Sequence, residues 1–159
     1  MRQILVAQLV GADADYVTHF GELQVLNLEI RSQGPTTERL LRKAILELDV
    51  GNFLASVDAA QDAVNMAPFN PDTHHLLGLA YIHLALSKAD ILPHGPGSHE
   101  GAPESVTGML WRAVEQFREA IEHAPNDEET QMDIQTLEKL LRAHPDEREL
   151  VKGLRGALN

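Results

Sequence analysis

The 159-residue chain contains no cysteine. That removes disulfides, thiolate metal ligands and cysteine nucleophiles, and it leaves the compartment open. Aromatic residues make up only 4% of the sequence, and no long stretch of Val, Ile and Thr alternates. Leu and Ala dominate, so propensity favours helices over sheets. No apolar run approaches the ~18–20 residues needed to span a bilayer. There is no stripe of Lys and Arg either. The formal net charge is −11, with the acidic residues spread along the chain. Such a surface repels nucleic acid and anionic membranes, so neither is expected as a partner.

Signatures of catalysis are missing as well. The sequence has no Gly-rich phosphate loop after a strand, no G-x-S-x-G, no H-E-x-x-H and no EF-hand loop. Neither a reaction nor a cofactor is expected. Asp127, Glu128 and Glu129 read as a helix start, where carboxylates complement the macrodipole. The N-terminal MRQILVAQLVGADA has an export-signal look, with Arg2, an apolar run and Ala-Asp-Ala. The run is short and broken by Gln8, so the cytoplasm is the expected location.

What is present is a set of spaced small and apolar residues. LLGLAYIHL, Leu76 to Leu84, opens behind Pro71-Asp72 and places Leu77, Gly78 and Tyr81 at fixed offsets. Downstream, AVEQFREAIEHAP places Ala113, Phe117 and Ala120 on one helical face, with Pro125 as the stop. These residues resemble the tetratricopeptide repeat, a helix-turn-helix of 34 residues with the pattern W-x2-L-G-x2-Y…A-x3-F…P. His74 stands at the leading Trp position. An earlier copy lies in ERLLRKAILELDVGNFLASVDAAQDAVNMAP, with Ala44 falling 34 residues before Gly78. Gly51 and Phe53 form its turn, Ser56, Ala60 and Ala63 its small-residue face, and Pro68 its stop. Lys43 and Glu47 stand where Leu and Tyr are expected.

The resemblance covers about residues 36–126. It implies an all-α fold: a short right-handed solenoid of antiparallel helix pairs within a single domain. Residues 1–34 form a degenerate N-terminal segment, 36–70 one repeat, 71–126 a second repeat and 127–159 a C-terminal capping helix pair. In that pair, Ile134, Leu137 and Leu141 make one stripe, and Leu150, Leu154 and Leu158 another, with Pro145 in the first turn of the second helix. In the N-terminal segment, Ile4, Leu5 and Leu9 suggest a short helix and GADAD a turn. Tyr16, Phe20 and Leu23 suggest a second helix, although LNLEIR also alternates as a strand would. In a regular repeat Tyr81 and Ala113 are nine positions apart; here they are 32 apart, an insertion of 23 residues. Its flanks read as helix, so about 88–106 should form the end of an extended hairpin projecting from the stack. LPHGPGSHEGA is its loop, and Trp111 should pack at its base.

The resemblance also implies a site. Proteins of this family bind peptides or helices in a concave groove lined by the first helix of each pair. By position, that groove holds Leu41, Ile45 and Leu48, then His75, Leu79 and Ile82 with His83 beside them. The Lys and Asn with which chaperone-binding members clamp a carboxylate are absent. The expected function is therefore a scaffold or adaptor that receives an apolar helix of a protein partner. Contacts from His75 and His83 would make binding pH-sensitive. Two other readings stay open. The groove could take up residues 1–33 or a second copy, giving a homo-oligomer. Alternatively, His94 and His99 in the hairpin tip could handle a metal, although HGPGSHE matches no established ligand spacing.

Overall fold

The computed structural model describes residues 12–89, 105–144 and 147–158, and every regular element among them is an α-helix. In chain order these are α1 (Ala12–Gln33), α2 (Thr37–Asp49), α3 (Phe53–Met66), α4 (Pro71–Lys88), α5 (Val106–His123), α6 (Glu128–Ala143) and α7 (Glu147–Leu158). The all-α expectation is met. Residues 1–11, which include Ile4, Leu5 and Leu9, and the loop with His94 and His99 lie outside the described residues.

Local chemistry explains the helix boundaries. Thr36 caps α2 by accepting a hydrogen bond from Arg39 N at 3.1 Å. Asn70 caps α4 from Asp72 N at 2.9 Å, with Pro71 in the first turn, where its missing N–H costs nothing. Ser105 caps α5 by accepting from Gly108 N at 3.0 Å. Asp127 caps α6, accepting from Thr130 N at 3.1 Å and from Thr130 Oγ1 at 2.6 Å. Those bonds, the side-chain one first, hold its carboxyl below the usual range. Among the described residues two turns need a positive φ, and both have glycine: Gly34 at 87° after α1 and Gly51 at 83° after α2.

Each helix packs mainly on its neighbours in sequence, and α2 also packs on α4. One large apolar cluster runs through α2 to α7 and includes Leu48, Phe53, Leu77, Leu110, Phe117, Leu137 and Leu150. A smaller one joins Leu23 and Leu26 of α1 to Leu46 and Val50, with Ile30 against it. Where helices approach closely the contact residues are small. Ala44, Ala60, Ala63, Ala113 and Ala120 are buried, and a Cβ at Gly78 would lie 2.6 Å from Phe117 Cε1. Ser56 Oγ donates to Ala44 O at 2.7 Å, tying α3 to α2 in the interior. Glu47, at a position where Tyr is expected, is buried and accepts from Asn52 Nδ2 at 2.8 Å across the α2–α3 turn. Trp111 packs against the large cluster, as expected. Leu137, Leu141, Leu150 and Leu154 are buried in it, with Ile134 against it.

Two expectations need correction. The GADAD segment from Ala12 onward, Tyr16–Leu23 and LNLEIR all belong to the single 22-residue helix α1. The strand-like alternation is therefore incidental: Leu26 and Ile30 are a turn apart and meet one neighbour. The extended hairpin exists, since α4 and α5 have 18 residues each against 13 and 14 in α2 and α3. The added length is about 6–8 Å. Its described turns do not project freely, however. Leu84, Ala85, Leu86, Ser87, Met109 and Leu110 are buried. Residues of α7 lie beside them: Arg148, Val151 and Lys152 share a cleft of about 340 Å³ with Lys88, Ala89 and Val106.

Candidate partner-binding surface

The seven groove residues divide sharply by exposure. Leu48 (2%), Leu79 (1%), Ile82 (0%) and His83 (0%) are closed to a partner. Leu48, Leu79 and Ile82 belong to the large apolar cluster, and half-buried Leu41 packs against it. Only Ile45 is exposed, and His75 is half-buried. The expected apolar groove is thus core over most of its length, for a physical reason. The α4 sequence is apolar on nearly every side, and a helix of that kind is covered on all sides rather than displaying a stripe.

His83 shows what this burial does to a polar group. Its ring stacks on Phe53 at 5.7 Å, and neither nitrogen has a hydrogen-bond partner. Desolvation drops its pKa to about 3, so the neutral ring behaves as a core aromatic. The expected pH-sensitive contact from His83 therefore has no place at the surface. His75, tilted against Phe117 at 5.3 Å, also has its pKa lowered by burial, although the carboxylates of Asp127, Glu129 and Asp72 pull the other way. On α6, burial raises the carboxyl of Asp133 to about 6, and Glu129 and Asp127 add to the shift. Asp133 Oδ2 and His75 Nε2 are both buried without a partner.

Exposed apolar surface is concentrated elsewhere. Among the described residues, five of the nine large exposed hydrophobic residues fall on α1: Tyr16, Val17, Phe20, Val25 and Leu28. At 100° per residue they span about 180°: Tyr16 and Phe20 border the Leu23–Leu26–Ile30 face that packs on α2, and Val17, Leu28 and Val25 turn away from it. Val17, Val25 and Leu28 are 74%, 61% and 62% exposed. Tyr16 and Phe20 stack on each other at 6.1 Å and do not enter the core with Leu23. Two polar contacts lie along the seam with α2: Arg42 Nη2 is 3.8 Å from Glu22 Oε2, and His19 Nδ1 is 3.6 Å from Asp49 Oδ2. Val25 and Arg42 line one shallow cleft between the two helices. Ile45 stands one turn from Arg42, placing it on the same side as Val25. The sequence marks Tyr16, Phe20 and Leu23 as helical without dividing them between the core side and the solvent side. The available signal was that the apolar residues of α1 cover more than the side that packs on α2, which among the described residues is its one extensive packing partner.

No protein-family model, no curated protein and no solved structure matches this chain. Among the described residues, no helix is long and apolar enough to cross a membrane.

Proposed function

We propose that this chain is a non-enzymatic interaction scaffold of tetratricopeptide type, a short right-handed solenoid working in the cytoplasm, and that the outer face of α1 holds another polypeptide. Helix pairing in sequence order supports the solenoid reading, as do the packing of Phe117 over Gly78 and the buried Ala and Ser positions of both repeats. The observation that carries the binding role is the apolar sector Tyr16, Val17, Phe20, Val25 and Leu28 on one helix. Exposed Gln24 and Arg31 lie within the sector, yet five large exposed apolar side chains on one helix are an interaction surface more often than an accident of composition. Its natural complement is an amphipathic helix laid along α1. Glu22 and Glu29 flank the sector, and the chain carries −11 overall, so a partner helix with basic flanks is favoured.

Val17→Glu combined with Leu28→Glu tests this reading, because both side chains are exposed and their loss leaves the core untouched. Proteins that co-purify with the wild-type chain and depend on this face should be depleted at least tenfold from the double variant. Equal recovery by the two would contradict the proposal. A second reading, self-association, is favoured by the length of the same stripe: two α1 helices packed antiparallel would cover both faces isologously. A mass that rises to twice the monomer with concentration, and falls back in the double variant, would select it.

A further inference from the structure

At the junction between the start of α4 and the end of α5, His74, Glu119 and His123 bring three ligand atoms within 4.8 Å of one another. Glu119 and His123 are one turn apart on α5 and share a face. His74 comes from the first turn of α4 and is buried, whereas the other two are exposed. The orientation of His74 is fixed. Its Nε2 lies 2.6 Å from the carbonyl oxygen of Pro68, and a carbonyl can only accept. In the neutral ring Nε2 therefore carries the proton, leaving the lone pair on Nδ1. Nδ1 faces α5, 2.9 Å from Gln116 Oε1; two acceptors cannot pair, so with the proton on Nε2 the Gln116 amide turns its NH2 to this lone pair. A backbone carbonyl holding one imidazole nitrogen is the usual support of a metal-bound histidine, and an ion at Nδ1 would take the place of the Gln116 amide. The His123 ring lies over His74 at 6.1 Å and 25°, and its other side meets the edge of Phe69 at 5.6 Å. Two imidazoles thus stand side by side, next to the exposed Phe69 ring.

We propose that His74, Glu119 and His123 form a binding site for a divalent transition-metal cation, with Zn2+ the best match. Two imidazoles and one carboxylate suit it, and a fourth position stays open to water. Tetrahedral ligands at ~2.0–2.1 Å from the ion lie about 3.3 Å apart, so the set has to tighten by roughly 1.5 Å at most. Glu119 and His123 are exposed and can rotate to do this, while His74 stays where Pro68 holds it. The bound ion would brace the first turn of α4 against the last turn of α5, fastening the base of the long hairpin. This site is separate from the α1 face and does not depend on the docking proposal.

Calorimetric titration of the full chain with Zn2+ alone tests the assignment, using four proteins: wild type, Glu119→Gln, His123→Ala, and His94→Ala combined with His99→Ala. Circular dichroism confirms that each is folded, and the changed side chains at 119 and 123 are exposed. The expected result is one ion per wild-type chain, the same ion retained by the loop variant, and affinity reduced by about tenfold or more in each of the other two. Absence of binding to wild type overturns the proposal. So does unchanged affinity in both Glu119→Gln and His123→Ala, or loss confined to the loop variant, which would assign the ion to the hairpin tip.

Discussion

At the scale of single residues, two buried titratable groups work in opposite directions. His83 has a pKa of about 3 in the fold against ~6.5 in the unfolded chain. The unfolded state thus takes up the proton first. Stability is intact above pH ~6.5 and declines as the pH falls towards 3. Asp133, raised to about 6, behaves in reverse: below pH ~4 it costs nothing, and stability is lost as the pH rises through 6. His83→Leu should therefore stabilise the chain by about 1–3 kcal/mol at pH 7.5, because it removes two unsatisfied buried nitrogens, and it should flatten the acid limb between pH 6.5 and 3. Urea denaturation at several pH values measures both effects; a destabilised variant would show that the imidazole has a partner in solution. Asp133→Asn should raise the urea midpoint at pH 7.5 and leave it unchanged at pH 4. A uniform shift at both values would mean that the ionised carboxylate is not the cause.

At the scale of the helices, the contact between α4 and α5 has no slack at Gly78. A methyl group there would meet Phe117 Cε1 at 2.6 Å and Cδ1 at 2.9 Å, and the Phe117 ring is completely buried. Gly78→Ala should cost about 1–3 kcal/mol through overpacking. Phe117→Leu in the same chain should recover part of that loss in a double-mutant cycle; additive losses would show that the ring moves aside. The sequence marked both positions through their resemblance to the tetratricopeptide pattern, but not that they touch. Some helix boundaries were legible, through Pro71-Asp72, Gly51 and Asp127; the caps at Asn70 and Ser105 and the turn at Gly34 were not singled out. The exposed groove was not legible. Which side of α4 meets solvent cannot be read from residues that are apolar on every side. The triad of His74, Glu119 and His123 was hidden for a different reason: two of its members are 45 or more positions from the third, and only the long hairpin brings them together. For α1 the pattern was readable but the partner was not, since Tyr16 and Phe20 could have faced either way. Val17→Glu with Leu28→Glu should change the unfolding free energy by no more than about 0.5 kcal/mol, measured by the same denaturation. A large loss would place these side chains against other parts of the chain.

For the whole molecule, the proposed reading divides the labour. The large cluster joining α2 to α7 supplies rigidity, and the smaller cluster of Leu23, Leu26, Leu46 and Val50 anchors α1 to it. The outer side of α1 is left as the working surface. Photo-crosslinking on the folded chain tests this most directly. A photoreactive residue is placed at Val17 or Leu28 on that surface, and at Asp58 or Asp62 on the exposed side of α3 as a control. The prediction is a discrete adduct with another polypeptide from positions 17 and 28 and none from 58 and 62. Adducts from all four positions alike, or from none, would contradict the claim that α1 is where this protein holds its partner.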